Sequence, residues 1–179
     1  MRRVFLGLLV IAVLAWLGWS LTRGRRVAPP PTTGPTDSTA VGVKAMRLYF
    51  GAANGDSLVA EAREMIEPSG LHDRVVALVA ELDRGPRGRG VAVLPAGTSV
   101  LRVFLDDRGL MTLDLSGAFR QRFRGGASAE YMAVASLIRT IGANVPEAKR
   151  VLIICAGRPI ATLGGHLPLD RSLDVSDWP

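Results

Sequence analysis

Hydrophobic and polar residues alternate along this chain in three distinct regimes. Residues 4–21, VFLGLLVIAVLAWLGWSL, form an apolar run without a single charge. As a helix rising about 1.5 Å per residue it would extend roughly 27 Å, close to the hydrocarbon thickness of a bilayer. From Pro29 to Gly42 the sequence PPPTTGPTDSTAVG is proline-rich, small and polar, the composition of an extended spacer with nothing to bury. Beyond it the periodicities of a folded domain begin.

Two stretches carry the helical period. In LHDRVVALVAELDRG, Leu71, Val75, Leu78 and Leu82 recur at spacings of four, three and four beside Val79, so one stripe is apolar. Ser69 is the expected N-cap, and Gly85 followed by Pro86 is a stop signal. SAEYMAVASLIRTIG repeats the pattern with Tyr131, Val134, Ile138 and Ile141, and is expected to run from about Ser128 to Gly142.

The remaining segments read as strands: MRLYF (46–50) and SLVAEAREMI (57–66) around the turn-rich GAANGD, SVLRVFL (99–105) and LMTLDLS (110–116) around DDRG, and RVLIICAG (150–157) followed by PIATLGG (159–165). Gly109 can supply the positive φ that the DDRG hairpin requires. Along 110–116, Met111, Leu113 and Leu115 alternate with Thr112 and Asp114, placing Asp114 on a wet face. The order β-β-α-β-β-α-β predicts an α+β fold: one mixed sheet with two helices on one face, preceded by a single transmembrane helix, with a final short strand allowed. The expected organisation is an anchor over residues 1–22, a linker over 23–42 and a globular domain over 43–179.

Charge and cysteine usage sharpen the first segment. The run is followed by TRGRRVAPPP, arginines and then prolines where a signal peptidase would need small residues, so an uncleaved anchor in the cytoplasmic membrane is expected. No cysteine follows the run, which excludes lipid attachment there, and Trp16 and Trp19 suit the headgroup layer. Arginines flank both ends, but the very short N-terminal tail resembles an export signal and places the domain outside the cytoplasm. Residues 1–40 hold five arginines and one aspartate, whereas residues 41–179 hold 17 basic against 15 acidic residues. The high pI therefore belongs to the flanks of the anchor, where anionic lipid accounts for it. No nucleic-acid partner is expected, because the folded part lacks the charge excess.

Candidate chemistry is sparse. RGPRGRG (84–90) has the arginines and glycines of a phosphate loop, yet it follows a helix, whereas such a loop must precede one for the helical N–H groups to face the anion. Arg84, Arg87 and Arg89 thus read as a solvated connector. The two histidines, His72 and His166, lack metal-site spacing; His72 is expected to face water and His166 to fix a turn. Ser116 lacks a nucleophile elbow and reads as a cap for the loop beyond it. Asp106 and Asp107 read as turn residues. Cys155, the lone cysteine, lies in an apolar strand and reads as a buried hydrophobe. No metal, no cofactor and no catalytic residue is expected. RQRFRGG (120–126) is the local concentration of positive charge, so the candidate interaction surface comprises Arg120, Arg122 and Arg124, with Asp114 from the strand. An exposed loop is the plainer reading of the same arginines, and a solvated strand carboxylate of Asp114.

Taken together and in order, several segments resemble the GerMN, or sporulation and spore germination, domain. MRLYFGAANGDSLVAEAREM looks like its opening strands with the arginine near the second strand's end, Arg63. ALVAELDRGP looks like its helix ending in Leu-x-x-Gly-Pro, and VAVLPAGTSVLRV like its entry to the central hairpin. LMTLDLSGAF is similar to the strand ending in Asp114, Leu115 and Ser116 followed by Phe119, while LIRTI and VLIICAGRPIATLGGH correspond to the later helix and hairpin. The resemblance implies an exported α/β domain without established catalytic residues, used as a building block of bacterial envelope proteins. Some members are lipoproteins with two such domains that act in spore formation and germination, and related folds build rings in secretion complexes. This chain departs from that pattern in having one such domain and a helical anchor. The expected function is a membrane-anchored extracytoplasmic binding or scaffolding module, assembling with an envelope protein or with itself through open sheet edges. The alternative is a peptidoglycan hydrolase or a regulator of one.

Overall fold

The computed structural model describes residues 42–178. The anchor expected over residues 1–22, and all but the last residue of the linker, lie outside the described residues. Among the described residues no helix is long and apolar enough to cross a membrane.

β1 (Val43–Gly51) and β2 (Leu58–Ile66) form an antiparallel ribbon closed by the Ala52–Ser57 turn, in which Gly55 adopts a φ of 77°. Next comes α1 (Leu71–Arg84). β3 (Val100–Leu105) and β4 (Leu110–Leu115) make the DDRG hairpin, with Gly109 at φ 77°. The short α2 (Ala118–Gln121) and the long α3 (Ala127–Asn144) lead to β5 (Arg150–Cys155), which runs parallel to β4. Two short strands, β6 (Arg158–Pro159) and β7 (Leu173–Asp174), pair with opposite ends of β5.

The strands fall into two sheets rather than the expected one. The β1-β2 ribbon stands apart from the mixed sheet β3-β4-β5-β6, which β7 joins through β5. α1 packs on β1 and β3, and α3 on β1 and α1. The inward residues of β4 and β5, among them Leu113, Leu115 and Ile153, join Leu78 of α1 and Ile138 of α3 in one apolar core.

Side chains of α3 explain why the ribbon ends where it does. Asn144 accepts the Arg47 N–H through Oδ1 at 3.0 Å and donates to the Arg47 carbonyl through Nδ2 at 2.7 Å. Thr140 accepts the Tyr49 N–H at 3.1 Å, and Ser136 donates to the Tyr49 carbonyl at 2.5 Å. Residues four apart share a helix face, so these three form a polar rail that satisfies the free edge of β1. The Arg47–Tyr49 stretch of β1 is therefore closed to strand addition.

Element boundaries show what local pattern could not supply. Gly70 rather than Ser69 caps α1, without a side-chain bond, while Gly85 ends it at φ 84° as expected. α3 continues past Gly142 to Asn144, because that glycine serves packing: a Cβ there would collide with Val175. The strand expected over 159–165 shrinks to Arg158–Pro159. The amides beyond it find a carboxylate instead of a ladder: Glu130, fully buried in the first turn of α3, accepts the N–H of Leu163 at 2.8 Å and of His166 at 2.9 Å.

Candidate functional site

The three arginines of RQRFRGG do not converge. Arg120 lies in the last turn of α2 and lines a cavity of about 400 Å³ with Gln121, Cys155 and Arg158. Arg122 and Arg124, with Phe123, line a separate cavity of about 260 Å³ against Ala92–Pro95. Arg122 donates to the Ala96 carbonyl, and Arg124 to the carbonyls of Gln121 and Phe123, so both guanidiniums are partly spent on local backbone.

Asp114 corrects the sequence reading. It does lie on the outer face of β4, yet it is only 1% exposed. Arg102, directly across the hairpin, covers it and donates from Nε at 3.0 Å and Nη2 at 2.8 Å to Oδ2; Oδ1 accepts the Gly157 N–H at 2.9 Å. A buried carboxylate needs such partners, since desolvation without them would be costly. Asp114 thus fixes the positive-φ turn at Ala156 and Gly157 and holds Arg102 at the surface. Arg102 and Arg158, absent from the sequence-level candidates, join Arg120 near this end of the sheet. The missed signal was the cross-strand register of Arg102 with Asp114.

β3 is the open edge beside this basic group. It pairs only with β4 among the described residues, and its register shift between Val100 and Arg102 leaves Leu101 46% exposed. Phe104, three residues on, is 62% exposed. An unpaired strand carrying large apolar side chains is a template for another chain.

The other candidates resolve into framework. Arg84 and Arg87 keep exposed side chains, as expected of a solvated connector, yet both also pair with Glu81, while Glu61 accepts the N–H groups of Arg87 and Gly88 at 3.0 Å each. The loop does present amides to an anion, but the anion is the protein's own glutamate. Glu81 also meets the buried Arg63, which donates to Glu61, Glu81 and the Gly85 carbonyl and lies over Phe50. Burial opposes the ionisation of Glu61 and Glu81, yet the arginine partners prevail and hold both carboxyls below their ordinary range.

His72 is exposed on the first turn of α1, and His166 holds its turn through Glu130, with Nδ1 3.1 Å from Oε2. Among the described residues no group of three or more metal-ligating side chains gathers. Ser116 bridges backward to the loop before β3, accepting the Ser99 N–H, rather than capping the loop beyond it. Cys155 is buried and its thiol is pushed up in pKa, chiefly by desolvation, which disfavours the reactive thiolate. Asp106 receives the N–H groups of Arg108 and Leu110, a turn residue as expected.

The family model described as sporulation and spore germination matches residues 47–161. No curated protein matches the chain. Among solved structures, a Clostridium perfringens protein provisionally described as a lipoprotein is 21% identical with a TM-score of 0.54, over 76% of this chain and 91% of that one. The tandem GerMN domains of the sporulation protein GerM from Bacillus subtilis are 20% identical with a TM-score of 0.58, over 76% of this chain and 48% of that one. The first of those domains alone is 21% identical with a TM-score of 0.55, over 73% of this chain and 97% of that one. At such identities the structural likeness is one of fold.

Proposed function

This chain belongs to the sporulation and spore germination family, whose GerMN domain it carries, and on that premise we propose that it is a membrane-anchored binding module of the bacterial cell envelope. Residues 4–21 hold it in the cytoplasmic membrane, residues 23–42 space it from the bilayer, and residues 43–179 work on the extracytoplasmic side as a scaffold without catalytic chemistry. The relatives described as a lipoprotein and as a sporulation protein support this reading, as does the uncharged apolar run at the N-terminus. A role in spore formation or germination is the corresponding process.

One observation carries the binding role: the open edge of β3, with Leu101 and Phe104 exposed and Arg102 between them. An envelope protein, or a second copy of the chain, adds a strand there and meets Arg120 at the same end of the sheet. Arg122 and Arg124, which line a separate cavity, take no part in that contact. Site-specific photo-crosslinking in living cells tests this. A crosslinker at Phe104 is expected to capture a discrete protein, either this chain or another, and one at His72 on α1 to capture none. Absence of a discrete adduct from Phe104 and Leu101 alike would remove the β3 edge as the docking site.

A further inference from the structure

A second site, unrelated to the β3 edge, lies where the C-terminal segment crosses α3. Arg47 and Tyr49 of β1, Arg139 of α3, Lys149 and the segment Asp174–Ser176 enclose a cavity of about 510 Å³, within the size range of small-ligand sites. Its construction is specific. Gly142 lets Val175 seat directly on α3, and Trp178, stacked on Tyr131, offers its carbonyl to Arg139 Nη1 at 3.1 Å. The Arg139 guanidinium lies 4.9 Å above the ring of Tyr49. Stacking and the Trp178 bond together fix the guanidinium plane.

What that plane leaves unpartnered is its Nε–Nη2 edge. Nε is buried and has no hydrogen-bond partner among the described residues, and Nη2 makes no bond there either. Arg63 shows the contrast, since its Nε, Nη1 and Nη2 all donate within the protein. Arg74 also has an unpartnered Nε, but Glu67 lies beside its Nη2. The cavity gathers three cations, Arg47, Arg139 and Lys149, against one carboxylate, Asp174, and none of the four forms a salt bridge among the described residues. Unpaired like charges in a walled cleft focus a positive potential that an anion relieves. The planar edge of a guanidinium matches the two oxygens of a carboxylate.

We propose that this cavity binds a small organic anion bearing carboxylates, with the Nε–Nη2 edge of Arg139 as the fork, Arg47 and Lys149 as flanking cations, and Pro146, Ala148 and Val175 against the carbon skeleton. The test is calorimetric titration of the full chain in neutral detergent with citrate, and in parallel with inorganic phosphate, at constant ionic strength. Citrate is expected to bind saturably at one site. Arg139→Lys, which keeps the charge and loses the fork, is expected to weaken it at least tenfold. The double variant Arg47→Ser, Lys149→Ser, remote from the core, is expected to weaken it as well, and it decides the matter if the Arg139 variant does not fold. Absence of saturable citrate binding, unchanged affinity in the variants, or a preference for phosphate over citrate would overturn the assignment.

Discussion

Replacing Glu130 by Gln should unfasten the 163–167 loop from α3. The carboxylate is fully buried, and its two oxygens accept the N–H groups of Leu163 and His166, with the His166 ring at 3.1 Å. A glutamine of the same shape keeps one acceptor oxygen and turns a donor toward the other set of N–H groups. Hydrogen bonds to a charged group contribute about 1.5–3 kcal/mol each, so losing one set and the charge should cost about 3 kcal/mol. At roughly 2 cal/mol/K per residue of unfolding entropy, a domain of this size should melt roughly 10 °C lower. Near-ultraviolet circular dichroism of the full chain in detergent would report the melting, and hydrogen exchange would locate it, with the amides of residues 163–167 losing protection first. The pH dependence follows with a definite sign. Burial opposes the ionisation of Glu130, but the backbone N–H groups of residues 163–167 outweigh it and lower its pKa below the ordinary 4.5. Its contribution is therefore complete above pH 4.5 and is lost as the pH falls below that value. The Gln variant should show a shallower loss of stability in acid. A shift under about 2 °C, with the loop amides still protected, would refute the reasoning.

Other outcomes follow from the same contacts. Asn144→Leu should cost about 2–3 kcal/mol, since it leaves both backbone groups of Arg47 without their α3 partner; faster exchange of the Arg47 amide would identify the cause. Arg63→Met should cost about 3–5 kcal/mol because the half-buried Glu61 and buried Glu81 lose their common partner, a loss measurable by urea denaturation. Gly142→Ala should push Val175 off α3 and make the segment 173–178 a site of endoprotease cleavage, with limited proteolysis as the readout.

The sequence made legible whatever depended on local period and turn chemistry. The apolar stripe of α1, the Gly85–Pro86 stop and the DDRG hairpin each follow from neighbours within a few residues. The β4 alternation also placed Asp114 on the correct face. What covers that face is Arg102, twelve residues earlier, and only strand register reveals it. The lost strand at 159–165 has the same origin, a carboxylate 33 residues upstream of Leu163 that outcompetes a ladder. Likewise the division into two sheets depends on the polar rail of Ser136, Thr140 and Asn144; the first two read in sequence as ordinary helix positions, and Asn144 lies beyond the expected helix end at Gly142. Arg120, Arg122 and Arg124 looked like one basic cluster because they are close in sequence; the end of α2 sends Arg120 to one cavity and the others to another.

The proposed function requires that the domain work outside the cytoplasm on a membrane tether. A chain carrying Cys155→Ala and a single new cysteine at Thr36 in the tether tests it directly, using a membrane-impermeant thiol reagent on intact cells. Labelling is expected before lysis. Labelling only after lysis would contradict it, because a cytoplasmic domain could not meet an envelope partner through β3.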